Sequence, residues 1–216
     1  TMGRKVNPIA IRMGINKGWN AVWYSDKKNF PRIFMQDLKI EEKIKETMKD
    51  SGIDRVEINR FANKVEVIVY VARPGVAIGR GGEGIDKLQK ELKRLTRADI
   101  EVKIREVKKA DISASIIARG IADGIERRQP SKLLVQSAKE KAMMAGAKGL
   151  RIWVSGRINN ASQARTVKVT AGSVPAQTLK ADIDYAEETA KTIDAGLMGI
   201  KVWIYKGNKT EVASEE

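Results

Sequence analysis

The segment 76–85, VAIGRGGEGI, combines glycines at four positions with a single arginine. Because glycine carries no Cβ, a ligand can approach the backbone N–H groups of such a segment closely. A helix pattern follows directly, in which Ile85, Leu88 and Leu92 recur on one stripe. The N-terminus of a helix carries free N–H groups and partial positive charge, so anions bind there. The segment therefore predicts a loop that binds phosphate groups.

The charge of the whole chain points to a polyanionic partner. Its 216 residues include 41 lysines and arginines against 27 aspartates and glutamates, a formal net charge of +14 at pH 7. Basic residues are spread from Arg4 to Lys209, which is typical of several contact faces on a folded body and not of one basic tail. Nucleic acid is therefore the first candidate ligand.

The chain contains no cysteine and no histidine. This composition excludes disulfides, thiolate or histidine metal sites, and nucleophilic catalysis that depends on Cys or His. No apolar run approaches the roughly twenty residues of a membrane span, and the N-terminus lacks the apolar core of a secretory signal. We therefore expect an intracellular, soluble binding protein with no catalytic residue, metal, cofactor, small-molecule substrate or membrane partner.

The glycine segment could also form a dinucleotide-binding turn, a P-loop or a plain turn between helices. Gly79, Gly81 and Gly84 match the dinucleotide fingerprint G-x-G-x-x-G, but there the first glycine directly follows a strand, whereas here 73–78 intervene after a Pro-Gly break. A P-loop requires Gly-Lys-Ser/Thr, which is absent. A plain helix–helix turn requires neither three glycines nor an arginine.

A KH-type loop fits this segment best. Such a loop is a G-x-x-G turn between two helices and clamps about four backbone nucleotides of single-stranded nucleic acid. Residues 79–82 supply the G-x-x-G pattern, and Ile78 and Ile85 can anchor the helices on either side.

Apolar periodicity predicts two compact α+β units. In the first we expect a helix from Asp37, strands near 56–58 and 65–71, a short helix after Pro74, the helix after the loop, and a strand at 100–104. After a linker at 108–111 we expect two helices, the second between Pro130 and Gly146, and strands at 150–155, 165–170, 178–185 and 200–205. The predicted organisation is an extended arm at 1–35, domains at 36–107 and 108–207, and a disordered tail at 208–216.

Six segments extend the match to a known family over most of the chain. They are GRKVNP at 3–8, ARPG at 72–75 with the glycine loop, AGAKG at 145–149, SGR at 155–157, ADIDY at 181–185 and KVWIYKG at 201–207. With these motifs in this order, the chain resembles the family of the third small-subunit ribosomal protein of the bacterial type, including its organellar relatives.

The resemblance implies an α+β fold, with a type II KH domain (a three-stranded sheet with helices) followed by a second α/β two-layer domain. It further implies a structural constituent of the small ribosomal subunit, on cytoplasmic or organellar ribosomes. Its partners would be small-subunit rRNA, mRNA at the entrance of the mRNA path, and other ribosomal proteins of the subunit head. The alternative is a free-standing KH-type RNA chaperone or processing factor. The residues expected to contact RNA are Arg4, Lys5, Arg12, Arg73, Gly79, Arg80, Gly81, Gly82, Lys87, Arg127, Arg128, Lys132, Arg151, Arg157, Arg165 and Lys168.

One segment departs from the family pattern. After Arg127-Arg128, bacterial relatives usually carry a dense basic cluster that is thought to grip incoming mRNA, but here 129–136 reads QPSKLLVQ and only Lys132 is charged. Fewer cations release fewer counterions and bind phosphate less strongly. We therefore expect a weaker contribution to mRNA unwinding than in typical relatives.

Three further groups of residues allow either a functional or a purely structural role. The cations of the arm, with Trp19 and Trp23, can contact RNA and stack on bases, or the tryptophans can pack on the first domain. Arg151, Arg157, Arg165 and Lys168 can form one basic face, or simple surface charge. Asp182 and Asp184 can hold a metal, or pair with Lys201 or Lys206 on an adjacent strand.

Overall fold

The computed structural model describes residues 5–61, 64–96 and 99–208, the side chain of Arg80 excepted. The chain divides into a central unit, Trp19–Lys108, and a bipartite unit, which combines Thr1–Gly18 with Lys109–Glu216. This division differs from the predicted one, because residues 5–35 are not a separate arm but are shared between the two units. The predicted tail lies outside the described residues, except for Asn208, which ends the last strand.

The central unit is one mixed sheet with helices on one face. Its elements are β1 (Ala21–Val22), α1 (Phe30–Thr47), β2 (Ile53–Arg60), β3 (Lys64–Val71), α2 (Pro74–Ile78), α3 (Glu83–Thr96) and β4 (Asp99–Glu106). The strand order is β1-β2-β3-β4, with β2 and β3 antiparallel and the outer pairs parallel. Alternate valines of β3 pack with Ile40, Ile44, Leu88 and Leu92 in the core. The predicted order of elements is confirmed, and β1 adds a fourth strand within the segment that was predicted to be an arm.

Helix α1 begins at Phe30, whereas the apolar pattern predicts a start at Asp37. Asp37 is itself buried, one turn before Ile40 on the core stripe. Its carboxylate accepts hydrogen bonds from Trp23 Nε1 at 2.7 Å and from Arg60 Nε at 2.9 Å. Because a charged residue occupies a core position, the periodicity is interrupted and the first turns are not recognisable from the pattern.

The bipartite unit has two helices against one face of an antiparallel sheet. Its elements are α4 (Ala114–Glu126), α5 (Ser131–Met144), β5 (Gly149–Gly156), β6 (Arg165–Gly172), β7 (Ala181–Thr192) and β8 (Gly196–Asn208), with strand order β6-β5-β8-β7. Leu150, Ile152 and Val154 of β5 are fully buried in the core formed with the helices. The predicted two-layer α/β domain is confirmed. The β7–β8 hairpin is longer than predicted, since 186–199 lacks a regular apolar alternation.

Arg12 is a correction to the predicted RNA contacts. Its side chain is 0% exposed. Nε donates to Ala181 O at 2.8 Å and Nη1 to Pro8 O at 2.9 Å, while Nη2 donates to the carbonyls of Ala176 at 2.8 Å and Thr178 at 2.9 Å. Burial lowers the pKa of Arg12, and the charge of Asp182 opposes that shift. The guanidinium is thus used to hold the N-terminal segment against the loop before β7, and it cannot bind RNA in this structure.

Two neighbouring contacts hold the same segment. Asn16 Nδ2 donates to Leu179 O at 3.0 Å, and Lys17 Nζ lies 2.8 Å from Asp182 Oδ1. Residues 5–18 are therefore part of the bipartite fold. In the described part of the chain, no helix combines the length and the apolar character needed to cross a membrane.

We expect Arg12→Met to destabilise the bipartite unit by about 3 kcal/mol, because two buried and two partly buried hydrogen bonds from a charged donor to backbone carbonyls are lost. Chemical denaturation of the full chain, followed by far-UV circular dichroism, measures this change. The control is Lys180→Met, an exposed lysine of the same loop, for which we expect less than about 0.5 kcal/mol. Equal stability of the two variants would contradict the assigned role of Arg12.

Candidate RNA-binding surfaces

The glycine loop connects α2 to α3 through backbone conformations that glycine adopts more easily than other residues. Gly79, Gly81 and Gly82 have φ of 73°, 64° and 86°. L-residues with a side chain rarely adopt such angles. Helix α2 separates the loop from β3, so Gly79 does not follow a strand directly and a dinucleotide-binding turn is excluded.

The glycines of the loop have two different roles. A Cβ on Gly84 would lie 2.9 Å from Ile78 O, and a Cβ on Gly79 would lie 3.2 Å from Gly84 N, so these two residues permit the close approach of α2 and α3. A Cβ on Gly81 or Gly82 would meet no atom within 4 Å. At Gly81 and Gly82 the rim of the loop is therefore bare backbone with open space in front of it.

Charged residues of both signs surround the loop. Arg73, at the N-cap of α2, is exposed. Lys87 is also exposed and lies 3.6 Å from Glu83 in the first turn of α3. Exposed pairs of this kind contribute little, so a phosphate can replace Glu83 as the partner of Lys87. Glu83 and Asp86 weaken the positive potential at this helix end, which leaves the backbone N–H groups and the cations as the attractive groups.

The outer face of the central sheet is occupied by internal ion pairs. Lys64 pairs with Glu101, and Lys103 pairs with Glu66 and, at 3.9 Å, with Glu101. A hydrogen bond from Lys103 lowers the pKa of Glu66, and one from Lys64 lowers the pKa of Glu101. This face is close to neutral, so it offers phosphate much less attraction than the loop.

The face of the bipartite sheet that points away from the helices carries a cluster of cations around Trp153. Lys5 Nζ lies 5.0 Å and Lys168 Nζ 4.8 Å from the centroid of the Trp153 ring. Lys168 faces Trp153 across the β5–β6 pair, and Arg151 precedes Trp153 by two residues on the same face. Among the described residues, none of these three cations has a carboxylate partner. They can therefore bind phosphate without first breaking an ion pair.

Aromatic rings extend under this cluster and were not predicted as functional residues. The ring of Trp203 lies 5.0 Å from that of Trp153 and 5.1 Å from that of Tyr185. Burial and a hydrogen bond to Glu187 raise the pKa of Tyr185 to about 12. The sequence does contain a sign of this aromatic surface. Arg151 and Trp153 alternate with buried aliphatic residues along β5, which places both side chains on the outer face.

The four cations predicted to form one basic face do not share a face. Arg151 and Lys168 lie on the outer face, whereas Arg165 has the strand parity of Val167 and Val169, which pack towards the helices. Arg157 lies after β5, and its Nε donates to Ala161 O at 2.9 Å. The spacing already argued against one shared face, because Arg165 and Lys168 of one strand differ by an odd number of residues and must point to opposite sides.

The corner between α4 and α5 contains the remaining predicted contacts. Arg127 is exposed, and Arg128 adopts φ of 61° at the end of α4, with its guanidinium 3.4 Å from Asp194. Lys132 is exposed at the start of α5. Next to it, Leu133 is 68% exposed and contributes to a shallow, mainly apolar depression. This corner therefore presents few cations beside an apolar surface.

Three other sequence-based expectations have different outcomes. Arg4 lies outside the described residues. Of the two tryptophans, Trp23 packs within the central unit, 5.2 Å from Phe30, while Trp19 is 68% exposed. The predicted ion pairing of Asp184 with Lys206 is confirmed at 3.1 Å.

Comparison with known proteins identifies the class and the family of the chain. Residues 39–112 match the family model described as KH domain, so the central unit is a KH domain that contains the glycine loop. Residues 121–204 match the model described as Ribosomal protein S3, C-terminal domain. The proteins named Small ribosomal subunit protein uS3 from Acetivibrio thermocellus and Pelagibacter ubique are 45% and 42% identical, each over 95% of this chain and 91% of the relative. The relative of that name from Hydrogenovibrio crunogenus is 43% identical over 99% of this chain and 93% of its own length.

The chain belongs to the uS3 family of small ribosomal subunit proteins. The family is not an enzyme family, in agreement with the prediction from composition. The type II KH fold followed by an α/β domain is likewise confirmed.

We expect acid to destabilise the central unit through the ion pairs of its outer sheet face. Because the folded-state pKa values of Glu66 and Glu101 are lowered, their contribution is complete above the ordinary carboxyl pKa of about 4.3 and is lost as pH falls through the lowered values. The thermal midpoint of Lys103→Met should fall less between pH 6 and pH 3 than that of the wild type. Lys90→Met, which alters an exposed lysine of α3, should behave as the wild type; an identical acid response of all three proteins would contradict the prediction.

Proposed function

We propose that this chain is a structural, RNA-binding constituent of the head of the small ribosomal subunit that binds rRNA and contacts mRNA where the message enters. Membership of the uS3 family supports residence in the small subunit. Its expected partners are small-subunit rRNA, mRNA and other ribosomal proteins of the head. Its location follows that of the ribosome, in the cytoplasm or in an organelle.

The open rim of the glycine loop carries the proposal of RNA binding. Gly81 and Gly82 expose their backbone at the start of α3, and Arg73 and Lys87 are available nearby. This arrangement fits the sugar–phosphate backbone of unpaired RNA, which needs close backbone approach and positive charge but no base-specific groups.

We propose a second contact at the Trp153 cluster, defined by Lys5, Arg151, Trp153 and Lys168. Two lysines lie over one indole ring, Arg151 lies on the same face, and none of these three cations has a carboxylate partner among the described residues. Folded rRNA offers closely spaced phosphates that such a cluster can neutralise, with release of condensed counterions.

Replacement of Arg80 and Gly81 by aspartate should reduce the affinity of the full chain for a single-stranded RNA oligonucleotide at least about tenfold at 0.1 M salt. Aspartate tolerates the left-handed backbone at position 81 better than most residues, so the fold should persist. Fluorescence anisotropy measures the affinity, and circular dichroism checks the fold.

The control is Thr47→Asp with Lys49→Asp, which changes the net charge by the same three units at exposed positions of the same unit. If both variants lose the same affinity, the attraction is only that of net charge and the loop has no special role. If neither loses affinity, the loop does not bind RNA.

At the corner between α4 and α5 we propose a weak contact with mRNA. Leu133 is exposed, and Gln136 Nε2 donates to Glu140 Oε1 at 2.9 Å, so two positions on the first turns of α5 contribute no charge. Ribosomes carrying Leu133→Lys and Gln136→Lys should translate through a stable hairpin faster than those carrying the unchanged chain, because added cations hold the incoming strand. Rates on an unstructured message serve as the control, and equal rates on the hairpin message would contradict the proposed contact.

The alternative, a free-standing RNA chaperone or processing factor, predicts different behaviour in the cell. A constituent of the subunit sediments with small subunits in high-salt gradients, whereas a free factor is removed by salt because its contacts are mainly electrostatic.

A further inference from the structure

Helix α1 has a second apolar face that its own unit does not cover. Phe30, Phe34, Met35 and Leu38 are 48%, 46%, 52% and 44% exposed. At 100° per residue they lie on one arc beside the buried stripe of Ile40 and Ile44. The later turns of the helix continue this arc with Glu41, Glu42 and Lys45. The apolar face is therefore confined to the N-terminal half of the helix.

Internal contacts hold this face in place. The rings of Phe30 and Phe34 are stacked, with centroids 6.0 Å apart and planes 8° apart, and Trp23 packs against Phe30 at 5.2 Å. Trp23 is itself fixed by its hydrogen bond to Asp37. A preorganised apolar face of several large side chains is unusual on a protein surface and marks an interaction site.

The shape and chemistry of this face favour a protein over RNA. Bases stack on free ring faces, but Phe30 and Phe34 use their faces on each other and on Trp23, and Met35 and Leu38 have no ring. Such side chains fit apolar side chains of a partner. The flanking cations are Lys27, Lys28, Arg32 and Lys39, all exposed and without a carboxylate partner among the described residues. They complement carboxylates at the rim of an interface.

We propose that the N-terminal half of α1 docks another protein of the small subunit, one that presents an apolar segment flanked by aspartates or glutamates. This proposal rests on the proposed function, because the partner must be part of the same particle. The apolar centre supplies the affinity, and the four rim cations select an acidic partner.

A photo-crosslinking experiment tests the identity of the partner. The full chain, with Met35 replaced by p-benzoylphenylalanine, is assembled into small subunits from purified components and irradiated. We expect a crosslink to one ribosomal protein, in an acidic and apolar peptide identified by mass spectrometry. The same probe at Thr47, exposed at the end of α1, should not give this product. A crosslink from position 35 to rRNA, or none from incorporated chain, would overturn the proposal.

A pair of charge variants tests the role of the face in assembly. Phe34→Glu with Leu38→Glu should reduce incorporation into small subunits about tenfold or more, while affinity for the RNA oligonucleotide falls no further than in the control. The control, Thr47→Glu with Lys49→Gln, makes the same change of two charges on exposed residues and should be incorporated normally.

The results separate this inference from the proposed function. If the unchanged chain is not incorporated at all, the ribosomal function fails. If the unchanged chain and the Phe34→Glu, Leu38→Glu variant are incorporated equally, and the variant's thermal unfolding shows that it is folded, only the docking face is refuted. If that variant does not fold, the crosslink from Met35 in the otherwise unchanged chain still decides the question.

Discussion

The bipartite unit depends on a buried guanidinium. Arg12 donates to carbonyls at positions 8, 176, 178 and 181, so it joins the N-terminal segment to the loop before β7. A buried charge is tolerated only where dipoles or counter-charges replace water, and here four carbonyls and the charge of Asp182 do so. The same attachment brings Lys5 over Trp153 on the outer sheet face. An interaction that stabilises the fold thereby completes a cluster of cations that can bind RNA.

The distribution of ion pairs determines which basic residues remain available for phosphate. In the central unit, lysines on the outer sheet face are paired with glutamates of neighbouring strands. At the glycine loop and around Trp153, the attractive groups are bare backbone N–H groups and cations with at most an exposed, weak partner. Net charge attracts a polyanion over long distances, and we propose that these groups decide where it binds.

Apolar surface has a separate role in this molecule. On α1 it forms a rigid face with a basic rim, which suits an acidic protein partner. At the start of α5, Leu133 and the depression next to it occupy positions where the resemblance implies a basic cluster. The face on α1 adds a potential contact with a protein. The apolar surface at Leu133 leaves fewer cations on the part of α5 that we propose to face mRNA.

Much of the fold was predictable because it is encoded locally. The 2-residue and 3.6-residue periodicities identified the strands and most helices, and the φ values of Gly79 and Gly81 follow from the demands of a tight turn that the glycine pattern already indicated. The family, too, was identifiable from short motifs in order. The start of α1 was not, because the buried Asp37 interrupts the apolar stripe, and its carboxylate is paired with Arg60 of β2 and accepts a hydrogen bond from Trp23 outside the helix.

The sequence by itself determined the two α+β units and the glycine loop, and it indicated a polyanionic partner, since each follows from local pattern or total charge. Only the tertiary structure decided which arginines and lysines are available. An arginine has the same local pattern whether it binds phosphate, as expected for Arg151, or carbonyls 164 to 169 residues away, as Arg12 does. Its role depends on which distant groups the folded backbone brings to it, and neighbouring residues in the chain carry no information about those groups.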